Sequence, residues 1–276
     1  MMKQWWQHLP SNIDPFVLEV GSFRVGWYGL MYVIGFFVLY ALSLYRSRKE
    51  GFPYSSDFIQ DFLVWAAFGL ILGARLGYVV IYNPGYYMRH PLEVIIPFSF
   101  SDGVHYTGIS GMSFHGGGVG VFVASLWYLR RKGVRFVDFA DFIVPCIPLG
   151  YTFGRIGNFI NGELYGRVTT SPWGMYFPMD PSGSLRHPSQ LYEAMLEGVV
   201  LFAVLWALRR KEAFRGLMLP IYLGGYAAAR FIVEFFRQPD SHLGFIAGSM
   251  SMGQLLSIGM ALIAVAAGVY LRRNGK

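Results

Sequence analysis

Residues 27–45 pass without one charged side chain. A helix of that length rises about 28 Å, close to the ~30 Å of bilayer hydrocarbon. Apolar runs of this kind recur along the chain. They cover 62–82 (interrupted by Arg75), 112–129 (His115 near its start) and 136–154 (with Asp138, Asp141, Pro145 and Pro148). Further runs cover 191–208 (Glu193 and Glu197 in the first turns) and 216–235 (Arg230 and Glu234 near the end), and 244–271 is uncharged throughout. No water-soluble fold needs so many. Charged residues make up 14% of the chain, against about 25% in a soluble domain. The expectation is an all-α integral membrane protein of about seven transmembrane helices, one multi-pass domain over 1–276.

Basic residues set the direction. Arg46, Arg48 and Lys49 follow the first run, and Arg130, Arg131, Lys132 and Arg135 the third. Arg209, Arg210, Lys211 and Arg215 follow the fifth, and Arg272, Arg273 and Lys276 the last. These 14 of the 23 Lys and Arg fall on one side of a seven-span topology, the cytoplasmic side by the positive-inside rule. The N-terminus is then periplasmic and the C-terminus cytoplasmic. This placement accounts for the net charge of +7 without nucleic acid. Trp5, Trp6, Phe16 and Phe23 point to an interfacial segment ahead of the first span, and the N-terminus lacks the pattern of a cleaved signal peptide. Cys146, the single cysteine, reads as a buried, inert thiol. There are no Cys/His ligand pairs and no HExxH, so no metal site is expected.

The topology gathers the ionisable residues of the spans toward the outer face: Arg75, His115, Arg155, Glu193, Glu197, Arg230, Glu234 and Arg237. Asp138 and Asp141 are the exceptions, at the cytoplasmic start of the fourth span. Charge inside a bilayer is costly and turns toward a cavity or a partner, so a polar chamber opening outward is expected. The densest stretch is GYTFGRIGNFINGELYG (150–166), which places Arg155, Asn158, Asn161 and Glu163 among five glycines. A cation, two amides and open backbone N–H groups suit an anionic oxygen group. Close helix packing with a snorkelling arginine would use the same residues, and this stretch alone does not separate the two readings. In the sixth run Tyr226, Arg230, Glu234 and Arg237 form one helical stripe, in which Glu234 can hold Arg230 as an i,i+4 pair. A functional stripe is favoured over a salt-bridged anchor. Gly69, Gly73 and Gly77 form a small-residue face for helix contact, while Arg75 either lines the chamber or snorkels. Residues 163–187, rich in Gly, Pro and aromatics, are expected to form a small periplasmic head or lid between the fourth and fifth spans. Pro188 suits the first turn of the helix that follows.

These residues resemble the bacterial prolipoprotein diacylglyceryl transferases. The likeness runs nearly end to end, through WYGLMY (27–32), GARLGYV (73–79), GMSFHGGGVG (111–120) and GRIGNFINGELYGR (154–167). It continues in RHPSQLYE (186–193), RFIVEFFRQPD (230–240) and SMGQLLS (251–257). HGGGVG stands where the family often has HGGLIG. The resemblance implies transfer of a diacylglyceryl group from phosphatidylglycerol to the lipobox cysteine of a preprolipoprotein, forming a thioether and releasing glycerol phosphate. It implies a site facing the periplasm in the bacterial inner membrane, no cofactor, and as partners the lipid, lipobox peptides and the bilayer. Arg155 and Arg230 are then expected on the phosphate, with Asn158, Asn161 and Tyr226 on the phosphate or glycerol. Glu163 and Glu234 would orient the arginines, and His115 would be the general base. Tyr28, Gly166 and Arg237 complete the expected substrate contacts. A small-anion transporter would use the same arginines, but the charges lie on one side and no paired broken helices appear. A membrane scaffold would leave them unexplained.

Overall fold

The computed structural model describes residues 2–21, 23–94, 96, 98–99, 105–106, 111–239, 245–246 and 250–274. Gly244, where the last uncharged run begins, lies outside them, as do Asp240 and Lys276. Among the described residues the protein is mostly helical, and five helices are long and apolar enough to cross a membrane: Trp27–Glu50, Ser56–Tyr82, Phe136–Ile160, Ser189–Leu208 and Met252–Asn274. The other two expected spans correspond to Phe114–Arg131, which opens with glycines and ends in two arginines, and to the shorter apolar helix Met218–Val233. The chain divides into two compact units, one of residues 1–52 and 137–276, the other of 53–136.

In the smaller unit, Ser55 caps the helix Ser56–Gly77 by accepting from Phe58 N–H at 3.1 Å. The helix runs on through a π-helical turn, Tyr78–Tyr82. It packs against Phe114–Arg131, capped in turn by Ser113. The expected glycine face makes this contact. A Cβ built on Gly77 would lie 2.7 Å from Gly116 Cα, and one on Gly73 2.6 Å from Gly120 Cα, so side chains there would force the helices apart. Arg75 turns to main chain beyond its own helix. Its guanidinium donates to Val94 O at 2.9 Å and Glu93 O at 2.5 Å and lies over the Tyr87 ring, tying down the chain that leaves the helix.

The larger unit opens with two short helices and a hairpin, Phe16–Val20 paired with Phe23–Gly26, ahead of the helix Trp27–Glu50. That helix packs on Ile147–Ile160 where Gly35 meets Gly150; a Cβ on Gly35 would stand 2.8 Å from Gly150 O. The span 136–160 is not one regular helix. Its two prolines divide it into Phe136–Ile143, a 3-10 turn Val144–Cys146, and Ile147–Ile160, because proline lacks the N–H that would continue the ladder. Cys146 is buried and free. Asp141 has a local use: its carboxylate accepts from the N–H groups of Gly216 and Met218, capping the helix Met218–Val233 from outside it. Pro188 stands one place earlier than expected, as the residue before the helical turn Ser189–Glu193.

Candidate active site

The site lies within the larger unit and is built on helix ends. Ile147–Ile160 closes in a Schellman turn. Glu163 N–H returns to Asn158 O at 3.1 Å and Gly162 N–H to Phe159 O at 3.0 Å, with Gly162 at φ 70°, where glycine is favoured. The turn brings the Glu163 carboxylate back over the helix end, where it accepts from Asn158 Nδ2 at 2.7 Å. Asn158 Oδ1 in turn accepts from Arg155 at 3.2 Å, the i,i+3 neighbour that the spacing implied. Glu163 therefore acts on Arg155 through Asn158, not by direct contact. Asn161 ends the helix, half-buried, with its N–H on Gly157 O.

The second wall is the span that begins at Ser189. Residues Ala194–Val200 adopt a π-helical turn, and Gly198 lets this stretch approach Thr152 closely. Glu193, which ends the preceding turn, and Glu197, within the π-helical turn, stand four apart on one inward face, and both are buried. The third wall is Met218–Val233 and the turn after it, with Tyr226, Arg230, Glu234 and Arg237.

Glu193, fully buried, is the point on which the three walls converge. Its Oε1 lies 3.2 Å from Arg230 and 3.0 Å from Arg237, and its Oε2 lies 2.8 Å from Arg155 Nε. That Nε–H is aimed at the Tyr151 hydroxyl, 2.6 Å away, so its contact with Oε2 is one of charge without an aligned hydrogen bond. Tyr151 donates to Glu197 and meets the Tyr226 ring edge-on at 6.0 Å. Glu234 holds Arg230 at 2.5 Å, as the i,i+4 spacing implied, and accepts from Ser251 Oγ at 2.6 Å. Ser251 is fixed by Gln254, whose Oε1 takes Ser251 N–H at 3.0 Å.

Arg155, Asn158, Glu163, Tyr226, Arg230, Glu234 and Arg237 are thus assembled as one network. Gly166 adjoins it. Its N–H bonds His187 O at 2.8 Å, it bridges to Arg237, and a Cβ there would press on the His187 carbonyl at 2.7 Å, so only glycine fits. Tyr28 packs beside Gly157, bonds the Tyr32 hydroxyl at 3.0 Å and reaches the Asn158 side chain, which joins it to the edge of the network. His115 belongs to the smaller unit, at the start of Phe114–Arg131 and on the rim of an apolar groove of about 570 Å³ lined by Trp65, Phe68 and Val123. Sequence reasoning did not name Glu193, Glu197, Tyr151, Ser251 or Gln254 as site residues. Two carboxylates four apart in an apolar run were the available signal for the first pair.

Residues 163–187 pack over the helix end. Phe159, Met175 and Phe177 are buried together against Trp6, Leu9, Ile13, Tyr165 and Leu191. Arg186 grips Asp180 through Nε at 2.7 Å and Nη2 at 3.0 Å, and the guanidinium pulls the Asp180 pKa down to about 2. Burial lowers the pKa of His187.

A family model described as prolipoprotein diacylglyceryl transferase matches residues 15–270. A phosphatidylglycerol–prolipoprotein diacylglyceryl transferase of Chlorobaculum tepidum is 47% identical over 266 residues, spanning 96% of this chain and 91% of its own. The protein of that name from Wolinella succinogenes is 43% identical over 98% of this chain and 97% of its own, and that from Bordetella avium 48% identical over 91% and 92%.

Proposed function

Because the chain belongs to the prolipoprotein diacylglyceryl transferase family, we propose that it moves the diacylglyceryl group of phosphatidylglycerol onto the lipobox cysteine of preprolipoproteins, the first step of lipoprotein maturation. The C–S bond forms as the glyceryl C–O bond breaks. The electron pair of that bond leaves on the phosphate oxygen, and the thiol proton passes to a base. The product is a thioether and the leaving group is glycerol phosphate. The relatives' names give the transporter reading no support.

One observation carries the assignment of the site: guanidiniums from separate segments converge on a single buried carboxylate. Their planar forks match phosphate oxygens and stay charged, so an arriving phosphodiester finds cations already aimed at one point. In this reading Arg155 and Arg230 hold the phosphate and stabilise the charge that grows on the leaving group. Arg237, Asn158, Asn161, Tyr226 and Tyr28 contact the headgroup or glycerol. Glu163 and Glu234 orient the arginines, and Gly166 keeps the chain close to Arg237. His115 is the proposed general base, on the chemistry of an imidazole near neutral pH. An Arg cluster also favours the thiolate of a cysteine whose free pKa is about 8.5.

The protein is proposed to sit in the bacterial inner membrane with seven spans, its N-terminus and site toward the periplasm and its C-terminus in the cytoplasm. Residues 163–187 are the periplasmic head. The distribution of Lys and Arg supports this orientation. The test is direct: incubate the purified protein with phosphatidylglycerol vesicles and a lipobox peptide, and follow the peptide's mobility. A lipid-dependent shift that requires the peptide cysteine is expected. No shift, or anion flux without lipid consumption, would refute the assignment.

A further inference from the structure

The network is electrically balanced before any ligand arrives. Three guanidiniums (Arg155, Arg230, Arg237) face three carboxylates (Glu193, Glu197, Glu234), all of the latter buried. At the edges Glu163 accepts from Asn158, and Arg167, of opposite charge, donates to the carbonyls of Glu234 and Arg237. A phosphodiester adds one negative charge to a region with little water to screen it, and an uncompensated charge there is strongly disfavoured. Either the anion binds poorly or a proton enters with it.

The three carboxylates differ in how firmly they are held. Glu193 has a guanidinium within 3.2 Å of both oxygens. Glu234 has Arg230 at 2.5 Å and the Ser251 hydroxyl at 2.6 Å. Glu197 is the loosest. Its nearest guanidinium, that of Arg230, stands 3.8 Å from Oε1, and this buried oxygen has no hydrogen-bond partner among the described residues. Its other oxygen is met by the Tyr151 hydroxyl alone. The groups that face Glu197 are Glu193 on its own span, Tyr151 and Arg155 on Ile147–Ile160, and Tyr222, Tyr226 and Arg230 on Met218–Val233. If a phosphate draws Arg155 and Arg230 toward itself, Glu197 loses the larger part of what keeps it charged, while Glu193 repels it from one turn away.

Resting on the phosphate-binding reading above, we propose that Glu197 takes up one proton from water, at Oε1, when the lipid phosphodiester binds, so that the occupied site keeps its charge balance. No bond other than O–H forms, and none breaks within the protein. Glu197 is a positioning residue in this scheme. It sets the charge state in which Arg155 and Arg230 are free to hold the anion, and it makes lipid affinity fall as pH rises. Glu197→Gln mimics the protonated state permanently.

The experiment uses the full chain in maltoside micelles, which carry no phosphate, titrated calorimetrically with short-chain phosphatidylglycerol in buffers of different ionisation enthalpy, against empty micelles. At pH 7.5 the wild type should take up close to one proton per lipid bound. Its affinity should weaken by up to about tenfold per pH unit where the unbound Glu197 is ionised. Glu197→Gln should bind at least as tightly, take up none, and lose the pH dependence. Lipid binding without proton uptake in the wild type overturns the proposal and leaves the phosphate site intact, and this measurement needs no variant to fold. Equal uptake in both proteins also overturns it. Binding of phosphatidylglycerol no tighter than short-chain diacylglycerol, which lacks the phosphate, overturns the phosphate-site reading and the proposal with it.

Discussion

Two arginine–glutamate clusters in the larger unit use the same residue types to opposite ends. Around Glu50, Arg46 lies at 2.7 Å, Arg209 at 2.8 Å and Arg210 at 3.1 Å. Arg46 also donates to the carbonyls of Asp141 and Phe142, and Arg209 to that of Trp206, whose ring lies 3.7 Å from its guanidinium. Those partners are backbone and core, which do not leave. The Arg46 side chain is 1% exposed. Around Glu193 the arginines meet carboxylates, a tyrosine hydroxyl and an amide. The side chains of Arg155, Arg230 and Arg237 keep 14%, 16% and 13% of their surface. A carboxylate can yield its place to another anion, whereas a main-chain carbonyl at a helix end has nowhere to go. The first cluster clamps three segments together, and the second, in the proposed reading, holds cations ready for exchange.

The contrast can be broken most sharply at its centre. Arg155→Lys should lower transfer about 100-fold or more, on the order of 3 kcal/mol of transition-state stabilisation, while the protein still inserts. Near-normal turnover in vesicles would remove the anion-holding role. Arg46→Ala should do the reverse: it unpairs two carbonyls and weakens the hold on Glu50, costing roughly 3 kcal/mol of stability. Its thermal midpoint should fall, and turnover per folded molecule should stay within a few-fold of wild type. A large loss in that specific rate would mean the two clusters are not separate in kind.

Gly162→Ala tests the turn that returns Glu163 to Asn158. A residue forced to φ 70° costs about 1 kcal/mol. Transfer should fall several-fold with little change in melting, since the strain lands on the Asn158–Arg155 bonds. A wild-type rate would detach Glu163 from the site. The smallest effect belongs to the 163–187 segment. The Asp180 carboxylate has its pKa lowered to about 2 by Arg186. It therefore stabilises the fold above its unfolded pKa of about 3.9, and that contribution disappears as pH falls through the folded value. Asp180→Asn should cost on the order of 1 kcal/mol at neutral pH and nothing near pH 1.5. Equal melting of the two proteins at pH 7 would show that the pair contributes nothing.

Several features were legible because they depend only on spacing. The apolar runs had the length of spans, the i,i+3 pair Arg155–Asn158 and the i,i+4 pair Arg230–Glu234 follow from helix geometry, and Gly69, Gly73 and Gly77 share a face by the same rule. The prolines at 145 and 148 weakened the fourth run on paper and break it in space. Arg75 could not be placed from its own helix, since its partners at 93 and 94 are carbonyls of a separate 3-10 turn, Pro91–Val94, whose position the helix's periodicity does not encode.

The sequence by itself determined the helical class, the helix faces and the identity of the cations, because each follows from local periodicity and residue chemistry. Only the tertiary structure decided that Glu193 is the common partner of arginines drawn from two other segments, that a π-helical turn directs Glu197 inward beside it, and that Asp141 caps a helix far along the chain. The physical reason is that ion pairs and caps reach a few ångströms in space. Residues 155, 193 and 230 come within that range only after helices far apart in the sequence have packed.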